Sequence, residues 1–176
     1  MGSVLGHFMT VHKHRKLVRQ NCFKVGLYWQ GLTHDLSKYS FTEFWVGAKY
    51  YQGYRSPNNA EREDIGYSSS WLHHKGRNKH HYEYWIDYSS ELQNGSVIPI
   101  DMPDRYLVEM VMDRIAASKV YKGKDYNDAC PLEYLNKGRD RIVIHPNTLK
   151  RLSFLLEMLA DKGEEYTFEY IKKEIL

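Results

Sequence analysis

Apolar residues recur at helical spacing through most of the chain. Val4, Phe8, Val11, Val18, Cys22 and Val25 share one face of a 3.6-residue period, which predicts an amphipathic helix over 4–25, ended by Gly26. A short helical stretch over 28–39 follows. Ser40-Phe41-Thr42-Glu43 has the form of a capping box and predicts a new helix carrying Phe44 and Trp45. Residues 53–59 read as a loop. Asn58 with Glu61 suggests a helix start leading into 67–74, before a turn at Lys75-Gly76-Arg77-Asn78. The pattern over 80–88 reads as helix, and 89–103, with Gly95, Pro99 and Pro103, as loop. Residues 104–121 form a long helix that is apolar on most sides through Leu107, Val108, Val111, Met112 and Ile115, as a central buried helix is. A loop with Gly123 and Pro131 precedes two last helices over 146–162 and 165–176. Ile142-Val143-Ile144 has strand character, but a single strand makes no sheet.

These elements predict an all-α fold: one helical bundle of about eight or nine helices spanning 1–176. Within it, a core of about 7–121 precedes a C-terminal helical extension of about 146–176. At 176 residues the chain is long enough to bury roughly two-thirds of its unfolded surface without disulfides. Two cysteines, Cys22 and Cys130, make neither a disulfide framework nor a zinc knuckle. A net charge of +3 permits an anionic ligand but gives no strong nucleic-acid signal. The sequence lacks a signal peptide, a lipid-anchor motif and a membrane-spanning run, so a cytoplasmic location is expected. The aromatic content of 14% is compatible with a homodimer.

Histidine changes the picture. The chain has nine, and seven of them (His12, His14, His34, His73, His74, His80, His81) fall between 12 and 81. Clustered imidazoles serve metal sites rather than solvated surface. His14 lies in or beside the apolar stripe of the first helix, with His7 on the same face and His12 nearer solvent. His34-Asp35 comes 20 positions after His14, the length of a helix and its return. A His-Asp pair offers one imidazole nitrogen and one carboxylate to Fe, Mn, Zn or a similar ion. Asp113 sits within the most apolar helix, where an ionised carboxylate needs a counter-ion or a metal. Glu109, one turn earlier, competes for that role. His73-His74 and His80-His81 flank one tight turn that can aim a histidine from each side at one point. The same turn also reads as a basic solvated loop binding anions through Lys75, Arg77 and Lys79, and the two readings are compatible.

A histidine on the first helix, then His34-Asp35, then a distant helical Asp113, resembles the HD-domain metal-dependent phosphohydrolases. His34-Asp35-Leu36-Ser37-Lys38 is similar to their His-Asp-x-Gly-Lys form, with Ser37 where glycine is common. Extra histidines between the pair and the last aspartate resemble the two-metal subgroup, whose members include cyclic-dinucleotide phosphodiesterases and di-iron oxygenases. The Gly-Tyr-Pro segment of the former is absent. The string of His34–Lys38, Glu43-Phe44, Trp71–Lys75 and Asn78–His81 also resembles a small uncharacterised bacterial family, some members of which carry a catalase label. No tyrosine stands out here as an axial ligand, and no haem is expected.

The resemblance implies that His14, His34, Asp35 and Asp113 hold one metal ion. It also implies that Asp35 bridges to a second, held by His74 and by His80 or His81. The cofactor is then one or two divalent ions. Catalysis would rest on Asp35, with Lys38 and Arg77 or Lys79 neutralising a small phosphorylated substrate such as a nucleotide. The same resemblance also admits a di-iron oxygenase and a non-catalytic, nucleotide-sensing HD domain.

Overall fold

The computed structural model describes residues 2–90 and 97–176. Ser3 caps the first helix, α1 (Val4–Lys24), by accepting the Gly6 N–H at 3.0 Å. The chain then turns into α2 (Tyr28–Thr33), which packs back along α1. Arg15 of α1 fastens the return, its guanidinium donating to the carbonyls of His34 (2.8 Å) and Leu32 (3.2 Å). A 3₁₀ turn over Leu36–Tyr39 leads to α3 (Phe41–Lys49), where the Ser40 hydroxyl accepts the Glu43 N–H as the capping pattern predicts.

The expected start at Asn58-Glu61 resolves into two helices, α4 (Pro57–Ile65) and α5 (Ser69–Lys75). Gly66 stops α4 with φ of 84°, a conformation open to glycine, and Ser68 caps α5. Glu61 does not serve its own helix. Its buried carboxylate accepts the hydroxyls of Ser68 (2.6 Å), Ser69 (2.5 Å) and Ser70 (2.9 Å), stitching α4 to the start of α5.

Residues 80–88 are not a helix. A 3₁₀ turn over Tyr82–Tyr84 gives way to β1 (Ile86–Tyr88), paired antiparallel with β2 (Val97–Pro99) so that Ile86 faces Pro99 and Tyr88 faces Val97. The Trp85 indole donates to the Lys79 carbonyl, and the Trp85 carbonyl accepts the Ile100 N–H at 2.7 Å, so the backbone leaves the helical path there. Part of the loop expected over 89–103, with Gly95, lies outside the described residues.

The long helix α6 (Asp104–Lys122) matches its pattern. Leu107, Val108, Val111, Met112, Ile115 and Ala116 are buried against α1, α8 (Pro146–Glu174) and α7 (Cys130–Gly138). The helix α7 replaces an expected loop. Pro131 stands in its first turn, where proline fits, and Leu135 on its inner face is buried. Residues 142–144 form no strand. Gly163 (φ 82°, ψ 175°) kinks α8 into the two segments the pattern separates. Eight α-helices and one small hairpin among the described residues make the fold mainly α. No helix among them is long and apolar enough to cross a membrane.

Asp101 joins the entry of α6 to the first turn of α8. It accepts from Thr148 (2.6 Å), Asn147 (2.6 Å) and Arg151 (2.6 Å). Burial works against its charge, but these hydrogen bonds and the Arg151 charge hold its carboxyl down to about 2. A depressed folded-state value stabilises the fold above the unfolded pKa of about 3.9, and the contribution disappears as pH falls toward 2. The side chain is 39% exposed, so solvent screening keeps the contribution near 1 kcal/mol. Asp101→Asn should therefore lower Tm by about 2–4 °C at pH 7. The mutant and parent melting curves should converge by about pH 2, and curves that stay parallel on acidification would assign Asp101 a non-ionic role.

Candidate metal centre

Backbone geometry explains how neighbours His34 and Asp35 meet at one point. His34 follows α2 and leaves the helical path (φ −47°, ψ 126°), and Asp35 comes next with φ of 54°. Asp35 is the sole non-glycine residue at positive φ among the described residues. Aspartate tolerates this region better than most side chains, and such strain collects at functional sites. The reversal points both side chains at α1 and α6.

Two donor groups result, and Asp35 belongs to both. Its Oδ2 lies 3.3 Å from His14 Nε2 and 3.3 Å from His34 Nε2. Asp113 Oδ1 completes that group at 2.9 Å from His14 and 3.5 Å from His34. On the other side, Asp35 Oδ1 lies 3.2 Å from His74 Nε2 and 3.4 Å from His80 Nε2. His81 Nε2 stands 2.9 Å from His74 Nε2. Both members of the His80-His81 pair join the second group, whereas of the earlier pair His74 alone does. The turn after α5 brings them round: the Asn78 side-chain amide donates to the His74 carbonyl at 2.8 Å, and the His81 N–H to the Asn78 carbonyl.

The spacing suits ions. A first-row cation bonded at about 2.1 Å holds neighbouring donors about 3.0–3.5 Å apart. Asp35 Oδ1 and His80 Nε2 are buried and have no hydrogen-bond partner. Buried polar atoms rarely stay unpaired, and these two face each other where a cation would satisfy both.

Carboxylates behind the ring fix the histidines. Glu109 accepts from Nδ1 of His34 at 2.9 Å and lies 3.1 Å from Nδ1 of His80. Glu43 reaches Nδ1 of His74 at 2.7 Å and Nδ1 of His73 at 2.6 Å. A carboxylate on Nδ1 turns Nε2 inward as the free donor, the usual support of a ligating histidine. Glu109 thus stands behind the ring, not in place of Asp113, and His73 belongs to Glu43. Glu43 was visible in the sequence as a capping residue; its role with His74 arises from the packing of α3 on α5.

Residues 3–161 match a family model described as a family of unknown function, DUF5662. The chain belongs to the DUF5662 family. No curated protein and no solved structure matches it. Every donor of the two groups lies inside the matched stretch of this DUF5662 protein, while the last part of α8 lies beyond it.

The local field favours positive charge. Burial raises the Asp35 carboxyl, yet the charges of His34, Lys38 and His74 overcome it and hold the group well below the usual carboxylate range. Burial likewise opposes Asp113, but hydrogen bonds from His14 and His34 hold it well below that range. Burial by itself lowers His34, and the carboxylates of Asp35, Asp113 and Glu109 raise it well above the imidazole range. The same carboxylates that hold a proton there would hold a metal cation. His81 goes the other way: burial, then the charges of His80 and His74, push it well below its usual value and keep the ring neutral.

The DUF5662 site opens on one side. A cavity of about 460 Å³ has His14, Lys38, His74, His81 and Asp113 in its wall. His34, His80 and Asp35 are sealed behind them. Lys38 donates to Asp35 Oδ2. Arg77 is elsewhere: it is exposed, donates to the His73 carbonyl at 3.2 Å, and is not among the cavity residues. Lys79 stands over the Tyr84 and Tyr106 rings, also outside the cavity. The arginines in the wall are Arg55 and Arg114, which sequence reasoning missed.

Proposed function

We propose that this DUF5662 protein is a metal-dependent phosphohydrolase with an HD-type arrangement of ligands, acting on a small phosphate ester. One observation carries the reading: two donor groups share the two oxygens of Asp35, and one side of the pair opens on a cavity. A purely structural site has a closed shell. Two divalent ions at these donors would supply positive charge toward both the attacking and the leaving oxygen of a phosphoryl group, and lower the pKa of water bound between them and the cavity. His14, His34 and Asp113 with Oδ2 of Asp35 would hold one ion; His74, His80 and His81 with Oδ1 would hold the other.

The rest of the work falls to the chain. Glu109 and Glu43 orient the rings, so the donor set is built before substrate arrives. Lys38, partly exposed beside Asp35, can move from Oδ2 to a phosphate oxygen, because its contact with Asp35 is lost once that oxygen is engaged. Arg77 takes no part in this reading, since it faces solvent.

The test is elemental analysis of protein purified without chelator, followed by phosphate release from a panel of phosphomonoesters and nucleotides. One or two Mn, Fe, Zn or Co ions per chain with phosphate release is the expected result. No bound metal after reconstitution overturns the reading. Two irons with O₂ uptake and no phosphate release would instead assign an oxygenase. Nucleotide binding without turnover would assign a sensor.

A further inference from the structure

One face of α6 lines the cavity beyond the candidate metal centre. Met110, Asp113, Arg114, Ala117, Ser118 and Tyr121 all contribute to the wall, at the three- and four-residue intervals of a single helix face. Arg114 is therefore the next cavity residue after Asp113, and the short Ala117 and Ser118 one turn on leave room beside it.

Arg114 is uncommitted. It makes no hydrogen bond or ion pair among the described residues, and its Nε is buried without a partner. The other cavity cations differ. Arg55 is held by both oxygens of Glu63, at 2.7 and 2.6 Å, Lys38 is on Asp35, and Lys122 is exposed. A half-buried guanidinium with no acceptor leaves its planar pair of donors available to an anion of matching shape. Glu83 is its counterpart in the same wall. It interacts with the neighbouring Tyr82 hydroxyl, but its Oε2 is buried with no hydrogen-bond partner of its own, and it forms no ion pair among the described residues. An unpaired guanidinium and an acceptor oxygen left without a partner in one cavity are complementary to a ligand that brings both kinds of partner.

We propose that Arg114 seats the phosphoryl group of the substrate and Glu83 accepts a hydroxyl or amine hydrogen from its alcohol part, so that the cavity selects small phosphomonoesters bearing a second hydrogen-bond donor. The proposal rests on the phosphohydrolase reading and adds the substrate class to it. Both are binding residues and neither is a metal donor.

The probes are orthophosphate, glycerol phosphate, which carries free hydroxyls, and methyl phosphate, which has none. Calorimetric titration of metal-loaded protein with orthophosphate should show binding weakened about 10- to 100-fold in Arg114→Gln and partly restored in Arg114→Lys. In turnover, Arg114→Gln should raise KM for both esters more than it lowers kcat. The parent should prefer glycerol phosphate, and Glu83→Gln should narrow that preference about tenfold. Orthophosphate binding unchanged in Arg114→Gln overturns the role of Arg114. Equal treatment of the two esters by parent and Glu83→Gln overturns the selectivity. If the parent hydrolyses neither ester, the hydrolase reading is what fails, and the titration still decides the seat at Arg114. Equal metal content and Tm across the variants exclude a collapse of the fold as the cause.

Discussion

Asp35→Asn should empty one half of the centre, weaken the other through the lost charge, and reduce phosphate release by at least about 1,000-fold while leaving the helical fold intact. The size follows from the position of the side chain, since one carboxylate serves both donor groups through its two oxygens. An amide keeps one oxygen and replaces the other with an NH₂ that cannot ligate a cation, so whichever way it turns, one group loses its shared donor. Charge goes too, in a pocket where His34, His74 and Lys38 balance that carboxylate. Asparagine is the informative replacement because it also tolerates the left-handed backbone at this position, with φ of 54°. Alanine there adds a conformational penalty of about 1–2 kcal/mol and confuses ligand loss with strain. Metal per chain by elemental analysis, phosphate release and far-UV circular dichroism decide the matter. Retention of metal and of activity within tenfold of the parent would remove Asp35 from the centre.

Stripping the metals with a chelator should lower Tm by roughly 8–16 °C. An ion present at about a thousand times its Kd contributes about 4 kcal/mol to the folded state, and for a chain of this size each kcal/mol moves Tm by about 2–4 °C. Without cations, Asp35, Asp113, Glu109 and Glu43 crowd together in surroundings that are largely buried, with Lys38 as the one ammonium in contact with them among the described residues. Protons on His34 and His80, which the neighbouring carboxylates favour, then supply compensating charge. Differential scanning calorimetry before chelation, after it, and after adding back Mn or Zn makes the comparison. A Tm indifferent to chelator, in protein shown to have carried metal, would mean the ions sit at the surface and not among these buried donors.

The sequence carried the helices whose apolar spacing is long and regular. The ranges expected for the first and sixth helices, and the break within the last, match α1, α6 and the Gly163 kink to within a residue or two. Short elements were harder, because their form is set from outside. Residues 80–88 carry enough aromatic and apolar side chains for either state, and two hydrogen bonds, from the Trp85 indole to the Lys79 carbonyl and from the Ile100 N–H to the Trp85 carbonyl, decide against helix. Pro131 suggested a loop, although proline in a first turn with Leu132 and Leu135 after it also describes a helix start. At the centre, residue type and spacing drew attention to His14, His34, Asp35, His74, His80, His81 and Asp113, and the fold brings these together. The supporting carboxylates were less legible, because Glu43 meets His74 across 31 positions and nothing local announces it. Arg77 was attractive for its place in a basic turn, yet it lies on the outer side of that turn and donates to the His73 carbonyl, while Asn78 beside it turns inward. Arg114 could have been found by extending the face of Asp113 along α6, since both fall on the 110–113–114–117 stripe.

The kink at Gly163 has a consequence for how the protein is made. It turns the end of α8 so that Phe168 and Ile171 join the same buried cluster as Val18 and Cys22 from α1. The cluster that α1 and α6 begin between them is thus completed by residues more than 140 positions after Val18 and Cys22. During synthesis at the ribosome, α1 and α6 meet before α8 emerges, and the cluster between them stays open on one side until the end of α8 arrives.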